Sequence, residues 1–367
     1  MELAELALRQ LRGAGAVAIR ARTGLLAGLV AVAIGVGACG GSEADPGDRQ
    51  TPPAGDVVVL AEPTDATLVL DFVPNAVHAG IYSALADGCY GGRNLDLEII
   101  KPTSTADTLK LIDAGKAEFG IADGSDLAGQ IDAGRGAKGV KAIVQRPQGQ
   151  LITLAESEIT DPSQLEGHSV GVTGVPSDGA VLDTIVRDAG GDPDEIEVVT
   201  IGFNGVQALE NGALDGFVGF AADGTQVEAD GFPVRAFALD EFGGPAYPGL
   251  VVFSTEERIA DDPDVISAFV ECTVAGYEST LADPQAALAA LLAEVPALDP
   301  ELSAAQLELY ESQFLNDTGR FGKFDEQAVD ALSDFLLAND LAKTPISAAR
   351  YATNDFLPGQ AAGETND

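Results

Sequence analysis

Tryptophan is absent from this chain of 367 residues, methionine occurs once, histidine twice and cysteine three times. Histidines and cysteines this few, with none clustered at ligand spacing, argue against a zinc or transition-metal centre. A phosphate-cradling Gly-Lys-Ser/Thr loop and a Gly-x-Ser-x-Gly nucleophile turn are also missing, so the commonest nucleotide-hydrolysing and acyl-transferring chemistries have no carrier. Positive charge is scarce: 20 Lys and Arg stand against 58 Asp and Glu, a net charge of -38. Repulsion makes nucleic acid and anionic membrane surfaces poor partners. The acidity alone says little about a ligand, because a dense acidic surface keeps an exported protein soluble and suits high salt.

A long apolar run is lacking too. The uncharged stretch from Thr23 to Ala38 follows Arg9, Arg12, Arg20 and Arg22, and its roughly 15 apolar residues fall short of the about 20 needed to span a bilayer. Positive flank, short apolar core and the small residues Val36-Gly37-Ala38 before Cys39 read as a signal peptide over residues 1–38. Val36-Gly37-Ala38-Cys39 resembles the bacterial lipobox, which implies that Cys39 carries lipid and that the protein is anchored to the outer face of the cell membrane. Residues 39–64 then read as a tether rich in Gly, Pro, Asp and Glu, with no packed structure expected over 40–62. Cys89 and Cys272 remain as an even pair in a compartment where disulfides persist. The competing reading is two buried free thiols.

What is present is a duplication. Val73-Pro74-Asn75 recurs as Val175-Pro176-Ser177, about a hundred residues further on, each before an apolar-periodic segment that stops at a glycine, Gly88 or Gly190. Leu95–Ile100 matches Ile196–Ile201, and a second apolar strand in each copy closes on the same tripeptide, Ala122-Asp123-Gly124 and Ala222-Asp223-Gly224. Two copies, each large enough for a core, predict two alike α/β lobes with a cleft at the strand carboxyl ends. Strands are expected at 67–73, 95–100, 118–122 and 140–145, alternating with helices at 77–87, 105–114 and 125–133. Leu151–Leu154 leads out of the first lobe and Leu250–Phe253 leads back, with hinge crossings near 148–156 and 240–252. The expected organisation is a first lobe over 65–150, a second over 151–245 with the crossings, a return to the first over 246–358, and a frayed tail at 359–367. Pro263, Pro284 and Pro300 start C-terminal helices that cover the first lobe.

Family resemblance enters at Leu70-Asp71-Phe72-Val73-Pro74-Asn75-Ala76-Val77-His78-Ala79-Gly80-Ile81-Tyr82. This segment resembles the first strand, loop and helix of the SsuA/THI5-like substrate-binding proteins, especially the branch associated with thiamine-pyrimidine precursors and riboflavin. Leu165–Val172, Gly276-Tyr277-Glu278 with Asp283-Pro284, and Tyr351–Pro358 extend it over residues 66–358. The resemblance implies an α/β, two-lobed periplasmic-binding-protein-like fold of type II, with the ligand cleft between the lobes. It also implies a receptor that closes on a small heteroaromatic vitamin or precursor and delivers it to an ABC permease, as a monomer and without a cofactor. A thiamine-pyrimidine compound is the first expectation, riboflavin the second, and a sulfonate or other small organic anion the third. An anion would want a well-placed Arg or a helix N-terminus, and Arg146 after the fourth strand is the clear cleft candidate.

The synthase branch of the same family, which makes the thiamine pyrimidine, is the alternative. Those enzymes carry a Lys for pyridoxal phosphate and a His four residues later, where this chain has Ala122 and Asp126, and a run of cysteines near where it has Phe242–Tyr247. A Schiff base requires an amine that Ala122 lacks. Geometry and resemblance together place Asp71, Phe72, Asn75, His78, Tyr82, Ser125 and Asp126 of the first lobe at the ligand. Thr173, Ser177, Asp178, Asn204 and Asp223 of the second lobe join them, with Tyr247 at the return crossing. Phe72 and Tyr247 are the expected ring-stacking partners. The plain reading for Ser177, Asp178 and Asp223 is helix capping.

Overall fold

A computed structural model describes residues 57–316 and 319–358. The expected signal peptide over residues 1–38, Cys39 and the tail 359–367 lie outside the described residues. Among the described residues, ten strands form two five-stranded sheets. The first holds β1 (Thr64–Val69), β2 (Leu95–Ile100), β3 (Phe119–Asp123) and β4 (Ala137–Val144). The second holds β5 (Gly149–Leu154), β6 (Ser169–Val172), β7 (Glu197–Thr200), β8 (Gly216–Phe220) and β9 (Val234–Ala238), and β10 (Leu250–Thr255) returns to the first. The orders are β2-β1-β3-β10-β4 and β7-β6-β8-β5-β9, so the two sheets share one topology. In each, one strand runs antiparallel to both its neighbours: β10 between β3 and β4, and β5 between β8 and β9. These are the strands that follow a crossing, so each sheet is completed by the chain arriving from the other lobe.

The sequence explains the burial. β3 reads Phe-Gly-Ile-Ala-Asp and is buried along its whole length, as a central strand covered on both faces must be. β2 alternates Leu95, Leu97 inward with Asp96, Glu98 outward, the pattern of an edge strand. β1 starts at Thr64, earlier than expected, and ends at Val69, so Leu70–Val73 form the loop that leaves the sheet's carboxyl end. The tether expectation needs a correction at its end: Leu60 is buried, its N–H donates to Arg93 O (3.0 Å) and its carbonyl accepts from Asn94 Nδ2 (2.8 Å).

The helix Ala79–Ala86 lies directly on the C-terminal helix Pro263–Ala282. Gly276 permits the approach, since a Cβ there would fall 2.0 Å from Gly80 O. Tyr277 Oη then donates to Val77 O (2.7 Å). Cys89 and Cys272 are joined in a disulfide beside this contact, with Cα atoms 5.6 Å apart. Helix Pro300–Glu311 contributes Leu307 and Tyr310 to the first-lobe core but also touches the second-lobe helix Ala221–Ala229. Gln306 Nε2 donates to Ala222 O across that boundary (3.1 Å).

Candidate functional site

The two crossings, 145–148 and 239–249, run side by side. A Cβ on Gly249 would lie 1.9 Å from Arg146 O, so only glycine allows this approach. Arg146 bonds Asp240 Oδ2 through Nε (2.9 Å) and Nη2 (2.7 Å), tying one crossing to the other. In front of the crossings the lobes enclose a cavity of about 430 Å³, within the range of small-molecule sites.

First-lobe loops supply one wall. Asp71 accepts from His78 Nε2 (2.8 Å), while His78 Nδ1 accepts from Asn75 N–H (3.2 Å). The second bond assigns the ring proton to Nε2, so His78 fixes the Asp71 carboxylate from behind. Asp123 caps helix Gly124–Asp132, accepting from Ser125 N–H (2.8 Å) and Ser125 Oγ (2.5 Å). The second-lobe wall mirrors it: Asp178 accepts from Thr173 N–H (2.7 Å) and Oγ1 (2.6 Å). Neither Ser177 nor Asp178 caps the helix Pro176–Asp188, whose N-cap is Val175. Ser177 Oγ instead crosses the cleft and donates to Asp126 Oδ1 (2.7 Å). Phe72 meets Phe203 of the second lobe edge to face, centroids 4.3 Å apart, a further contact across the cleft.

The electrostatics follow from removing water around these carboxylates. Burial pushes Asp126 up to about 8, with Asp123 and Asp178 adding to the rise. Burial also pushes Asp123 and Asp223 up to about 6, and raises Asp178. In each case loss of hydration outweighs the hydrogen bonds that favour the charged form.

Asp223 corrects a reading of the repeat. β8 ends at Phe220, and Ala222-Asp223-Gly224 lies inside the first turn of Ala221–Ala229, whereas Ala122-Asp123 ends β3. The tripeptides match in letters and are offset by one helical turn in structure. Asp223 Oδ2 therefore accepts from Phe220 N–H (2.7 Å), the return bond of a capping box, while the side chain also lines the cavity.

Of the residues expected at the ligand, Asp71, Phe72, Asn75, Ser125, Asp126, Thr173, Ser177, Asp178, Asp223 and Tyr247 line the cavity. Three do not. His78 is fully buried behind Asp71, Tyr82 is buried on the helix one turn further in, and Asn204 is exposed, its Nδ2 donating to Ile201 O (2.9 Å). Tyr247 stacks on Phe335 (6.4 Å, 26°), so its ring has an intramolecular partner. Arg146 is not on the wall, because Asp240 holds it at the hinge. The wall also includes Gln148, Phe203, Phe220, Gln226, Ser303, Gln306 and Tyr310. The last three form one stripe of helix Pro300–Glu311, at spacing i, i+3 and i+7, and this uncharged stripe on an otherwise acidic helix was the available signal.

Comparison with known proteins gives this geometry a lineage. The formylaminopyrimidine-binding protein of Halalkalibacterium halodurans is 27% identical over 77% of this chain and 87% of its own length. The riboflavin-binding protein RibY of Chloroflexus aurantiacus is 23% identical over 82% of this chain and 88% of its own. Among solved structures, the alkanesulfonate-binding protein SsuA from Xanthomonas axonopodis pv. citri, bound to MOPS, superposes with a TM-score of 0.66 at 14% identity, covering 80% of this chain and 99% of that one. That likeness is one of fold: two sheets joined by paired crossings. The family described as NMT1/THI5 like matches residues 75–287, from the Asn75 loop through the second lobe and both crossings into the C-terminal helices, and the chain belongs to that family.

Proposed function

We propose that this protein is an extracytoplasmic solute-binding protein of an ABC importer, which takes a small heteroaromatic vitamin or precursor into the cleft and presents it to the permease. The observation that carries the reading is the enclosed cavity built from both lobes, with aromatic rings and hydrogen-bonding carboxylates on its wall. A ring bearing amino groups would lie near Phe72 and Phe203 with its donor edge toward Asp71, Asp223 and the Asp126 group. The lobes would open by rotation about the crossings and shut on the ligand. An aminopyrimidine is the first ligand class and a flavin the second.

Two features oppose the other readings. An amine-dependent synthase would need a lysine at the ligand, and the cavity wall among the described residues holds no lysine, histidine or cysteine. Buried Lys141 in β4 stands elsewhere, its Nζ 3.7 Å from the Phe321 ring centroid. A sulfonate would face the carboxylates of the wall, and the one cation expected to offset them, Arg146, is bound to Asp240. Native mass spectrometry of protein purified without refolding should detect a copurified heteroaromatic compound, and calorimetry should show an aminopyrimidine or flavin binding without turnover. Tight binding of alkanesulfonates with no response to either heteroaromatic class would overturn the reading, as would consumption of the bound pyrimidine.

The anchoring proposal rests on Val36-Gly37-Ala38-Cys39 alone. Cys39→Ser should abolish incorporation of a fatty-acid analogue and release the protein from membranes. Labelling that persists in the variant would remove the lipid anchor from this account.

A further inference from the structure

Six carboxylates line the cavity, and among the described residues no lysine, arginine or histidine does. Three of the hydroxyls on the wall do not offset that imbalance for a ligand, because Ser125, Thr173 and Ser177 already donate to Asp123, Asp178 and Asp126. Gln148 adds to it. This residue is 2% exposed, its Nε2 is engaged by Arg146 O (3.2 Å) and Gln313 Oε1 (3.0 Å), and its Oε1 has no hydrogen-bond partner among the described residues. The wall is therefore rich in acceptors and negative charge, and the donors left to it, such as Gln207, Ser303 and Tyr310, are all neutral.

Closure concentrates this charge. Asp123 and Asp126 come from the first lobe and Asp178 from the second, near enough for Asp178 to raise both. The groups facing Asp126 are Asp123, Asp178, the Ser177 hydroxyl and the phenol of Tyr247. His78 does not line the cavity and is held behind Asp71. Lobes that close on an empty cavity must therefore bury like charges together or take up a proton.

We infer that the ligand of this cleft is a cation: a heteroaromatic ring system whose fixed or protonated positive charge sits against Asp123, Asp126 and Asp178. This deepens the solute-binding reading and rests on it. The cation replaces the proton: as it enters, the carboxyl proton shared among these groups leaves to bulk buffer, and the carboxylate so formed pairs with the ligand. A charged pair of this kind in a water-poor cavity is stronger than its neutral counterpart. The same charge rejects phosphorylated or sulfonated compounds by repulsion, which makes the device a selectivity filter as well as a latch.

The test is calorimetry on the mature protein, stripped of bound ligand, with three probes. Thiamine carries an aminopyrimidine and a fixed positive charge, thiochrome is its uncharged fused-ring counterpart, and 4-amino-5-hydroxymethyl-2-methylpyrimidine is the ring without the fixed charge. At pH 8 thiamine should bind about tenfold or more tighter than thiochrome. Its affinity should rise from pH 6 to 8, with a buffer-dependent heat that reports proton release. Asp126→Asn should narrow the thiamine-to-thiochrome ratio. Thiochrome binding as tightly as thiamine, or a thiamine affinity independent of pH and of Asp126, would overturn the cation inference and leave the solute-binding reading standing. Failure of all three probes and of riboflavin to bind would remove both.

Discussion

Unfolding of the Cys89→Ala, Cys272→Ala double variant is expected to need about 2–4 kcal/mol less free energy than the oxidised protein. The bridge closes a loop with a sequence separation of 183, so in the chain-entropy view it removes much freedom from the unfolded state. It also pins the short helix Cys89–Gly92 to the middle of Pro263–Ala282, where Tyr90 Oη and Thr273 Oγ1 are 3.0 Å apart and Arg93 pairs with Glu271. Those neighbours survive the substitution, which keeps the loss below a full unfolding of the lobe. Denaturant titration of the variant, and of the parent with and without reductant, measures the difference. Neither cysteine lines the cavity, so ligand affinity should hardly change while the fold persists. Equal midpoints for oxidised and reduced protein would show that the bridge is absent or idle.

The second large effect is on binding. Asp223→Asn should weaken affinity for an aminopyrimidine ligand by about 1.5–3 kcal/mol, the range for a hydrogen bond to a charged group. An amide keeps the acceptor that Phe220 N–H needs but replaces a carboxylate oxygen with a donor, and loses the charge. Stability should move the other way. The Asp223 carboxyl is pushed up to about 6 when folded, so its contribution is full below the unfolded value near 4 and is lost as pH rises through 6. At pH 7 the asparagine variant escapes that penalty and should melt no lower than the parent. Unchanged affinity by calorimetry would reduce Asp223 to its capping role, and a lower melting temperature would mean that the capping bond had been broken.

Fold and site differed in how far they could be read from the sequence. The repeat at Val73-Pro74-Asn75 and Val175-Pro176-Ser177 pointed to two alike lobes because both copies keep the apolar periods that a shared topology requires, and the two sheets show that topology. Asp71 in its loop, and Ser125 and Asp178 in the first turns of their helices, were legible because ligands in α/β sheets meet the segments that leave the strand carboxyl ends. His78 was misplaced because sequence gives a residue's distance along the loop and not its side of it. Asp223 was assigned to a strand end because identical letters hid a shift of one helical turn between the copies. Ser303, Gln306 and Tyr310 were missed for a different reason. Their helix packs on the first lobe like its neighbours, and only the tertiary arrangement brings one stripe of it to the cleft.

The antiparallel strand in each sheet has a further meaning. β5 fills the slot between β8 and β9, and β10 fills the slot between β3 and β4, yet each arrives from the opposite lobe. Neither half of the repeat is a complete folding unit, because without the borrowed strand two inner edges of its sheet would lie open. The arrangement is that of two subunits which have exchanged a segment, written into one chain. A dimer built by such an exchange depends on protein concentration. Here the crossings hold the partner permanently at high effective concentration, so the obligate pairing of the halves is independent of how dilute the protein becomes.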